Sequence, residues 1–554
     1  MIKLNYPARS VLFLLLASFL PGCLLMVRTT TAAELRGEIV DAVSGARIAA
    51  RLYVKSESEQ PEEGTADRWP WFFASSASTD GTAVTYRKQR SAESIEAHTT
   101  LSPDPFLVDL AAGRYTLTAE CGKEYQTAKV SVEIGEQPAT VSLRLRRWID
   151  MNTLGWYSGE THVHRQVDDL PNLVQAEHLN VALPLTYWVT SSGTPPSQGD
   201  KNSPAIKPEL IRVDATHVIY PMNTEYEIFR VNGNRHTLGA IFAINHKSVF
   251  TQGVPPVGEI ARQTHQQGGL LELDKHNWPW SMMLVPVMKV DLYELTNNHI
   301  WRVPFAFRQF GTAPPAYMKI EQDEGGMTER GWIDFTFQNY YALLNCGFRL
   351  RPTAGTASGV HPVPLGFGRV YVHLPDGFSY ANWMEGLDKG RTFVTTGPMM
   401  DVTVEDHPPG STLTATAPAE YQLKGWIRSA SPLTAIEVVS EGAVIKTITP
   451  QNQTTSSSAY ESRISESISV ETSTWLTVRC FEMTGDGRVR FAHSSPTHID
   501  VTGKPLRPRR AEVEYLVSRV QDELARHKNV LEEPALAEYR AALAAYQRLL
   551  AESR

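Results

Sequence analysis

The central part of the chain opens with the stretch Gly155–Arg165, which reads GWYSGETHVHR. In an extended segment, residues two positions apart project to the same face, so His162 and His164 would present two imidazoles on one side. Imidazole nitrogens are common ligands of divalent transition metals. The stretch therefore predicts a metal site, although a His-x-His pair on a strand also occurs without any metal.

Strands alternate with helices around this stretch, over residues 149–400, which is typical of an α/β domain. A helix is predicted after Pro256, and the strand Leu270–Leu273 follows it. Ser379 is the expected N-cap of a later helix, which Gly390 ends. We therefore predict one α/β unit in the middle of the chain.

Short alternating β-type runs flank this unit at residues 34–148 and 401–502, and both regions are predicted to be β-sandwiches. The run GEIVDAVSGARI at 37–48 resembles the opening of carboxypeptidase-regulatory-like sandwich modules. Apolar residues recur with helical spacing over residues 503–554, which predicts a C-terminal helical hairpin. The predicted fold class is multidomain, α/β plus β.

Residues 1–33 have the features of a signal peptide, because Lys3 and Arg9 precede an apolar stretch and small residues up to Ala33 follow it. The uninterrupted apolar run is shorter than the roughly 20 residues that a membrane span needs, so no transmembrane span is predicted. We expect cleavage after Ala33 and a periplasmic or secreted protein. The alternative is a lipoprotein with a lipid anchor at Cys23, which ends the sequence LPGC.

The composition excludes several functional classes. The 554 residues carry a net charge of -7 and no long Lys/Arg run, so nucleic acid is not an expected partner. Cys121, Cys346 and Cys480 fall in three different predicted domains, which argues against a disulfide framework or a cysteine-based zinc site. No Gly-x-Ser-x-Gly motif or Cys/His nucleophile arrangement supports serine or cysteine hydrolysis.

The region from Gly155 to about Asp500 resembles the PHP-like metallohydrolases of the carbaryl-hydrolase type, the CehA/McbA family. The motifs that carry the resemblance are, in order, SGETHVH at 158–164, AEHLNV at 176–181, NTEYEIF at 223–229, RHTLG at 235–239, QGGLLELDKH at 267–276, DLYEL at 291–295, AGTASGVH at 354–361 and GRTFVTTGP at 390–398. The resemblance implies a distorted (β/α)7 barrel whose strand ends hold divalent metal ions. Such ions activate water for hydrolysis of phosphoester, ester or carbamate bonds.

The resemblance also implies a set of metal ligands. The implied ligands are His162, His164, Glu225 or Glu227, His276 and His361. Further candidates, for which structural hydrogen bonding is the alternative, are His236, His246 and Glu294. Ligands of this kind suit Zn, Mn or Fe, and we expect one or two ions.

Two departures from the family pattern stand out. Tyr187 and Trp188 occupy the positions of an Asp-His ligand pair, and Gly359 stands where a carboxylate normally precedes the last metal histidine. A complete trinuclear site is therefore not expected. The remaining ligands could still hold one or two ions.

Four further residues are predicted to face a small-molecule or glycan substrate. They are Arg165, Trp188, Trp278 and Trp280, with core packing as the alternative for each tryptophan and pairing with Asp168 or Asp169 as the alternative for the arginine. The predicted function is that of an exported metal-dependent hydrolase acting on an ester, carbamate or phosphoester, including glycan-linked ones. The alternative is a degenerate PHP-like domain that binds a glycan or another ligand without catalysis.

Overall fold

The computed structural model describes residues 33–57, 70–198, 205–309 and 311–554. The predicted signal peptide and Cys23 lie outside these residues, apart from Ala33, which begins the first strand. The described residues form a multidomain α/β plus β protein with seven α-helices, as the sequence predicts at this level. No helix among them is long and apolar enough to cross a membrane.

Two facing sheets form the N-terminal unit. The strands of this unit are β1 (Ala33–Asp41), β2 (Ala50–Ser56), β3 (Trp71–Phe72), β4 (Ser75–Ser76), β5 (Ala83–Gln89), β6 (Ile95–Leu101), β7 (Phe106–Leu110), β8 (Gly113–Glu120), β9 (Ala128–Ile134) and β10 (Ala139–Leu145). One sheet has the order β10-β1-β7-β4, and the other has the order β5-β6-β2-β8-β9 with β3 beside β2. Leu35 and Phe106 of the first sheet share a core with Leu52 and Leu117 of the second, as expected for a β-sandwich.

The middle unit is built on two mixed sheets. Its strands are β11 (Trp156–Val163), β12 (Val181–Pro184), β13 (Tyr187–Ser191), β14 (Ile211–Arg212), β15 (Val218–Ile219), β16 (Thr224–Val231), β17 (Asn234–Ile244), β18 (Leu270–Leu273), β19 (Leu292–Thr296), β20 (Gln322–Asp323), β21 (Gly326–Met327), β22 (Arg351–Ala354), β23 (Arg369–His373) and β24 (Thr392–Thr395). One sheet runs β13-β16-β17-β18-β19-β22, the other begins β14-β15-β12-β11-β23-β24, and β20 pairs with β21 alone. This pairing gives two sheets, so the closed (β/α)7 barrel stays a prediction of the resemblance.

Five helices belong to the middle unit. They are α1 (Leu170–Ala176), α2 (Gly258–Gln266), α3 (Ser281–Met288), α4 (Glu329–Asn345) and α5 (Tyr380–Asp388). The predicted helix after Pro256 corresponds to α2, and β18 follows it at the expected residues. The Ser379 side chain accepts a hydrogen bond from the amide of Asn382 and so caps α5, as predicted.

The second sheet of the middle unit continues into the C-terminal sandwich, because β24 pairs with a strand of the latter at Phe393–Thr395. The strands of the C-terminal sandwich are β25 (Met399–Val404), β26 (Thr412–Ala415), β27 (Ala419–Ser429), β28 (Leu433–Ser440), β29 (Ala443–Ile448), β30 (Gln453–Thr454), β31 (Tyr460–Val470), β32 (Thr474–Met483), β33 (Val489–Ser494) and β34 (Thr497–Val501). The second face of this sandwich has the order β25-β27-β31-β30. The two units on either side of residue 400 therefore share one continuous sheet.

The C-terminal helices α6 (Arg510–His527) and α7 (Glu533–Glu552) form the predicted hairpin and pack on the middle unit. The Tyr546 hydroxyl of α7 donates to the carbonyl of Met282 in α3 at 2.8 Å. The Arg519 side chain of α6 is 5% exposed and donates to the carbonyl of Trp278 at 2.7 Å. The hairpin thus holds the segment that joins β18 to α3.

The three cysteines in the described part of the chain are Cys121, Cys346 and Cys480. All three are buried free thiols.

His493 lies on β33, where the shared sheet passes between the units, and it is fully buried. Its Nε2 accepts from the Tyr341 hydroxyl at 2.8 Å and its Nδ1 donates to the Ser494 carbonyl at 2.8 Å, so the ring is neutral. Burial lowers the pKa of His493 from 6.5 to about 3. Below pH 6.5 the imidazole binds a proton in the unfolded chain, whereas in the native chain it stays neutral down to about pH 3. Protonation of the unfolded state therefore lowers the free energy of unfolding as the pH falls below 6.5, and it has no effect above that pH.

Replacing His493 with glutamine, which does not titrate, is expected to flatten the acid dependence of stability. Between about pH 6 and pH 4, wild type should lose up to about 1.4 kcal/mol per pH unit more than the variant. Urea unfolding at several pH values measures the difference. Parallel stability curves for the two proteins would show that His493 is not held neutral.

Candidate metal centre

The candidate centre lies where the two sheets of the middle unit meet. His162 is on β11 and His164 directly follows that strand, while Glu225 is on β16. Asp274 directly follows β18, and Glu294 is on β19. None of these five residues is more than 8% exposed. Side chains from both sheets therefore converge in a centre that is almost closed to water.

His162, His164 and Glu225 form the first group of potential ligands, here named the triad. One donor atom from each lies within 4.8 Å of the other two. The His162 and His164 Nε2 atoms are 3.3 Å apart, and the His164 Nε2 is 3.1 Å from a Glu225 carboxylate oxygen. Two ligand atoms on one tetrahedral zinc lie about 3.3 to 3.4 Å apart, since each is about 2.0 to 2.1 Å from the metal. The triad therefore has the spacing and the donor types that fit a divalent ion.

His162, Asp274 and Glu294 form a second group with donor atoms within 4.8 Å of one another. This group uses the other ring nitrogen of His162, because Nδ1 lies 3.1 Å from a Glu294 oxygen and 3.7 Å from Asp274. The absence of a side chain at Gly355 permits this approach, since a Cβ there would lie 2.2 Å from the His162 Cβ and 2.6 Å from a Glu294 oxygen. The two groups therefore meet on opposite nitrogens of one imidazole.

The protonation of His162 decides which group can take an ion. Burial lowers the pKa of His162 to about 3, so the ring is neutral at neutral pH and carries one N–H and one lone pair. With the proton on Nδ1, the ring donates to Glu294 and directs the Nε2 lone pair towards His164. A metal-binding histidine that donates its other N–H to a carboxyl group is a frequent arrangement. Glu294 is accordingly placed to orient His162.

Lys275 compensates the charge of the second group. Burial alone would raise the pKa of Asp274, but the Lys275 ammonium and His162 hold it at about 2. Burial alone would lower the pKa of Lys275, but Asp274, Glu294 and Glu227 raise it. The Lys275 ammonium contacts the Asp274 carboxylate directly, and the Trp278 indole N–H donates to the same carboxylate at 2.8 Å. Both contacts go to Oδ2 of Asp274, while the buried Oδ1 has no hydrogen-bond partner in the described part of the chain and lies 3.7 Å from the His162 Nδ1.

Burial shifts three neighbouring carboxyl groups towards the neutral form. Burial raises the pKa of Glu272 to about 8, against the opposing effect of hydrogen bonds from Thr353 and Thr161. Burial and then the nearby Glu225 carboxylate raise the pKa of Glu227 well above its usual range. Burial and then the Asp274 carboxylate raise the pKa of Glu294 in the same direction.

His276 and His361, both implied by the family resemblance as ligands, are not brought into either group of ligands. The His276 Nδ1 lies 3.3 Å from the Thr336 hydroxyl, and its ring packs against Trp332 and Phe335. The His361 ring packs against aromatic side chains near the centre. Burial lowers the pKa of both histidines well below 6.5. The structure thus places both rings among aromatic side chains and outside the two groups, and their roles as ligands stay predictions of the resemblance.

The other candidate ligands have mixed outcomes. Glu227 is half-buried on β16 and joins neither group, so Glu225 is the member of this pair that lies in a candidate group. His236 pairs with His527 of the hairpin at 2.8 Å. His246 lies 2.9 Å from the Thr224 hydroxyl and 2.9 Å from the Ser248 carbonyl. Structural hydrogen bonding therefore accounts for both of these histidines.

The four predicted substrate-facing residues differ in their burial and in their distance from the triad. Trp280 is fully buried and Trp278 is 7% exposed, which favours core packing, the alternative given for these two rings. Arg165 is 7% exposed, with a guanidinium nitrogen 3.6 Å from Asp169. Trp188 is half-buried, and its ring centroid lies 5.7 Å from that of His164. Trp188 is therefore the one of the four that lies beside the triad at a partly open position.

No family model, curated protein or solved structure matches this chain.

The geometry gives physical reasons for both departures from the family pattern. Trp188 lies opposite Glu225 in the pairing of β13 with β16, so an indole occupies the position beside the triad where a ligand pair was expected. Gly359 has a φ of 110°, and a Cβ there would lie 2.3 Å from the carbonyl oxygen of His164. No carboxylate side chain fits at position 359 while the loop lies this close to the His164 backbone.

Sequence reasoning did not select Asp274 and Lys275, although both stand in a quoted motif. The available signal was their position directly after the strand Leu270–Leu273, where polar side chains reach the edge of a sheet. His276, two residues after Asp274, received the ligand prediction because it matches the position of a metal-binding histidine in the family motif. Only the fold reveals that Asp274 faces His162.

Replacing Glu294 with glutamine is expected to weaken metal binding about ten- to a hundredfold. The His162 Nδ1 lies 3.3 and 3.1 Å from the two oxygens of Glu294, and glutamine keeps only one acceptor oxygen, so the tautomer and orientation of His162 are fixed less firmly. Competition with a chromogenic chelator measures the affinity, with Zn²⁺ as the probe. An unchanged affinity would mean that Glu294 does not act on His162.

Proposed function

We propose that this protein is an exported, metal-dependent hydrolase of the PHP-like type that acts on an ester, carbamate or phosphoester. The single observation that carries the proposal is the triad, in which three ligand atoms from two sheets have separations that fit one ion. The fold-level part, a distorted barrel, and the export both rest on the sequence patterns. The substrate is a small molecule or a glycan-linked compound.

The protein residues would bind, orient and shield the ion. His162 and His164 would each supply a neutral imidazole nitrogen, Nε2, and Glu225 would supply a carboxylate oxygen. Glu294 fixes the tautomer of His162 through Nδ1. The Phe242 ring, 4.4 Å from that of His162, excludes water from the inner side. An ion of the Zn, Mn or Fe class supplies Lewis acidity, which polarises the scissile bond and makes water a stronger nucleophile near neutral pH.

One ion rather than two is favoured by the chemistry of the second group. His162 has a single lone pair when neutral, and the triad uses it at Nε2. Asp274 already contacts the Lys275 ammonium. The positive charge of this side chain lies where a second metal ion would have to bind. Three protein ligands with one open position suffice for a catalytic zinc site.

Substrate would approach the triad from the side of Trp188, Glu227 and His361, which are the partly exposed residues around it. A cavity of about 340 Å³ lies elsewhere, between strands of the C-terminal sandwich near Ser440 and Thr472, and does not open onto the triad. A partly exposed indole beside the ion could stack on an aryl group or a sugar ring.

The second candidate function is ligand binding without turnover. The observation that favours it is Lys275, because an ammonium among the carboxyl groups can stabilise a centre of this kind without any metal. In that case the partly exposed side at Trp188, Glu227 and His361 would bind a glycan or another ligand, and the histidine pair would have a structural role.

A hydrolysis screen separates the two functions. Purified protein loaded with Zn²⁺, Mn²⁺ or Fe²⁺ would be tested on aryl phosphates, aryl esters, aryl carbamates and aryl glycosides, beside the His162→Ala/His164→Ala variant. Turnover that requires metal and is lost in the variant is the expected result. Saturable binding of a substrate analogue without turnover of any bond class, whether or not metal is added, would favour the binding function.

A further inference from the structure

The segment Thr356–His361, here named the 356–361 loop, holds the backbone of the histidine pair. The amide of Ala357 donates to the carbonyl of His162 at 2.8 Å, and the amide of His164 donates to the carbonyl of Ser358 at 2.8 Å. The loop thus bonds to both histidines of the triad through the main chain. Movement of the loop would shift both imidazoles.

Tyr86 of the N-terminal sandwich fixes this loop from outside the middle unit. It lies on β5 and is 4% exposed. Its hydroxyl accepts from the amide of Gly359 at 2.9 Å and donates to the carbonyl of His361 at 2.5 Å. A hydroxyl can accept and donate at once, so one side chain satisfies two main-chain groups of the loop that face it.

The ring of Tyr86 makes a second contact with the same region. The guanidinium of Arg165, the residue that directly follows the histidine pair, lies 4.6 Å from the centroid of the Tyr86 ring. A cation over an aromatic face at this distance is an attractive contact. Tyr86 therefore contacts both the loop that bonds to His162 and His164 and Arg165, the residue directly after the pair.

We infer that Tyr86 is a positioning residue for the triad, so that the N-terminal sandwich is a working part of the metal centre. This inference rests on the proposed function, because the triad is the feature being positioned. The hydroxyl of Tyr86 holds the 356–361 loop against the backbone of His162 and His164, which keeps their Nε2 atoms at the spacing an ion requires. Gly359 belongs to the same device, because its missing side chain lets the loop lie directly on the His164 carbonyl.

The variant Tyr86→Phe tests the inference, because it removes the hydroxyl and keeps the ring under Arg165. The matched control is Tyr53→Phe. Tyr53 is buried in the same sandwich and its hydroxyl donates to Glu96 at 2.6 Å, away from the 356–361 loop. Three quantities are measured for each protein: the Zn²⁺ affinity by chelator competition, the melting temperature, and the hydrogen exchange of peptides covering residues 160–166 and 356–361.

Tyr86→Phe is expected to weaken Zn²⁺ binding about tenfold or more and to speed exchange in both peptides. Tyr53→Phe is expected to lower the melting temperature by a similar amount without either effect. Wild-type Zn²⁺ affinity in Tyr86→Phe, or an equal loss in Tyr53→Phe, would overturn the inference while leaving the proposed function intact. Absence of Zn²⁺ binding by wild type would overturn both, and the two failures are therefore distinguishable.

Discussion

His164→Ala is expected to lower the affinity for Zn²⁺ by more than about a hundredfold, beyond the effect of removing a partner that only orients a ligand. His164 is the residue whose Nε2 lies within 3.3 Å of His162 and 3.1 Å of Glu225, so its loss leaves two ligands on one ion. Chelator competition on the purified protein measures the change.

His246→Ala is the matched control for this prediction. His246 is fully buried in the same unit and is fixed by Thr224 and Ser248, outside both groups of ligands. The His246→Ala substitution should lower the free energy of unfolding and leave the Zn²⁺ affinity unchanged. Equal losses of affinity in the two variants would mean that general destabilisation, and not the removal of a ligand, explains the effect.

Lys275→Met is expected to destabilise the metal-free protein by about 3 to 5 kcal/mol, the usual cost of removing one partner of a buried ion pair. Lys275 is 3% exposed and its ammonium is in direct contact with Asp274, which is 1% exposed. The variant leaves that carboxylate charged or forces it to take up a proton. Urea unfolding after exhaustive chelation measures the loss.

The double variant Asp274→Asn/Lys275→Met should be more stable than Lys275→Met alone. Removing both charges leaves no unpaired ion in the interior, so the two changes are not additive. If the double variant is destabilised relative to wild type by the full sum of the two single-variant effects, Asp274 and Lys275 do not interact as a pair.

Local sequence patterns predicted several elements of the fold. Ser379 as an N-cap, the helix after Pro256 and the C-terminal hairpin were recognisable because capping and helical periodicity are local signals. The pairing of β24 with β33 was not predictable, since strands almost 100 residues apart carry no local sign of their partner. For that reason the boundary expected at residue 400 gave no warning of a shared sheet.

The candidate site could be predicted in part for the same reason. His162 and His164 stand two residues apart, so one extended segment brings them together without knowledge of the fold. Glu225 followed only from a motif resemblance, and choosing it over Glu227 required the register of β16. His276 was expected as a ligand on the same grounds, but its ring packs against Trp332 and Phe335 and lies outside both groups, which sequence alone does not reveal.

The metal content of the purified protein tests the central claim most directly. Wild type and the His162→Ala/His164→Ala variant would be loaded with Zn²⁺, Mn²⁺ or Fe²⁺, dialysed against metal-free buffer and analysed for all three elements. The account predicts about one equivalent of one metal in wild type, in keeping with a three-ligand site, and none in the variant. Negligible metal in both proteins after loading would contradict it.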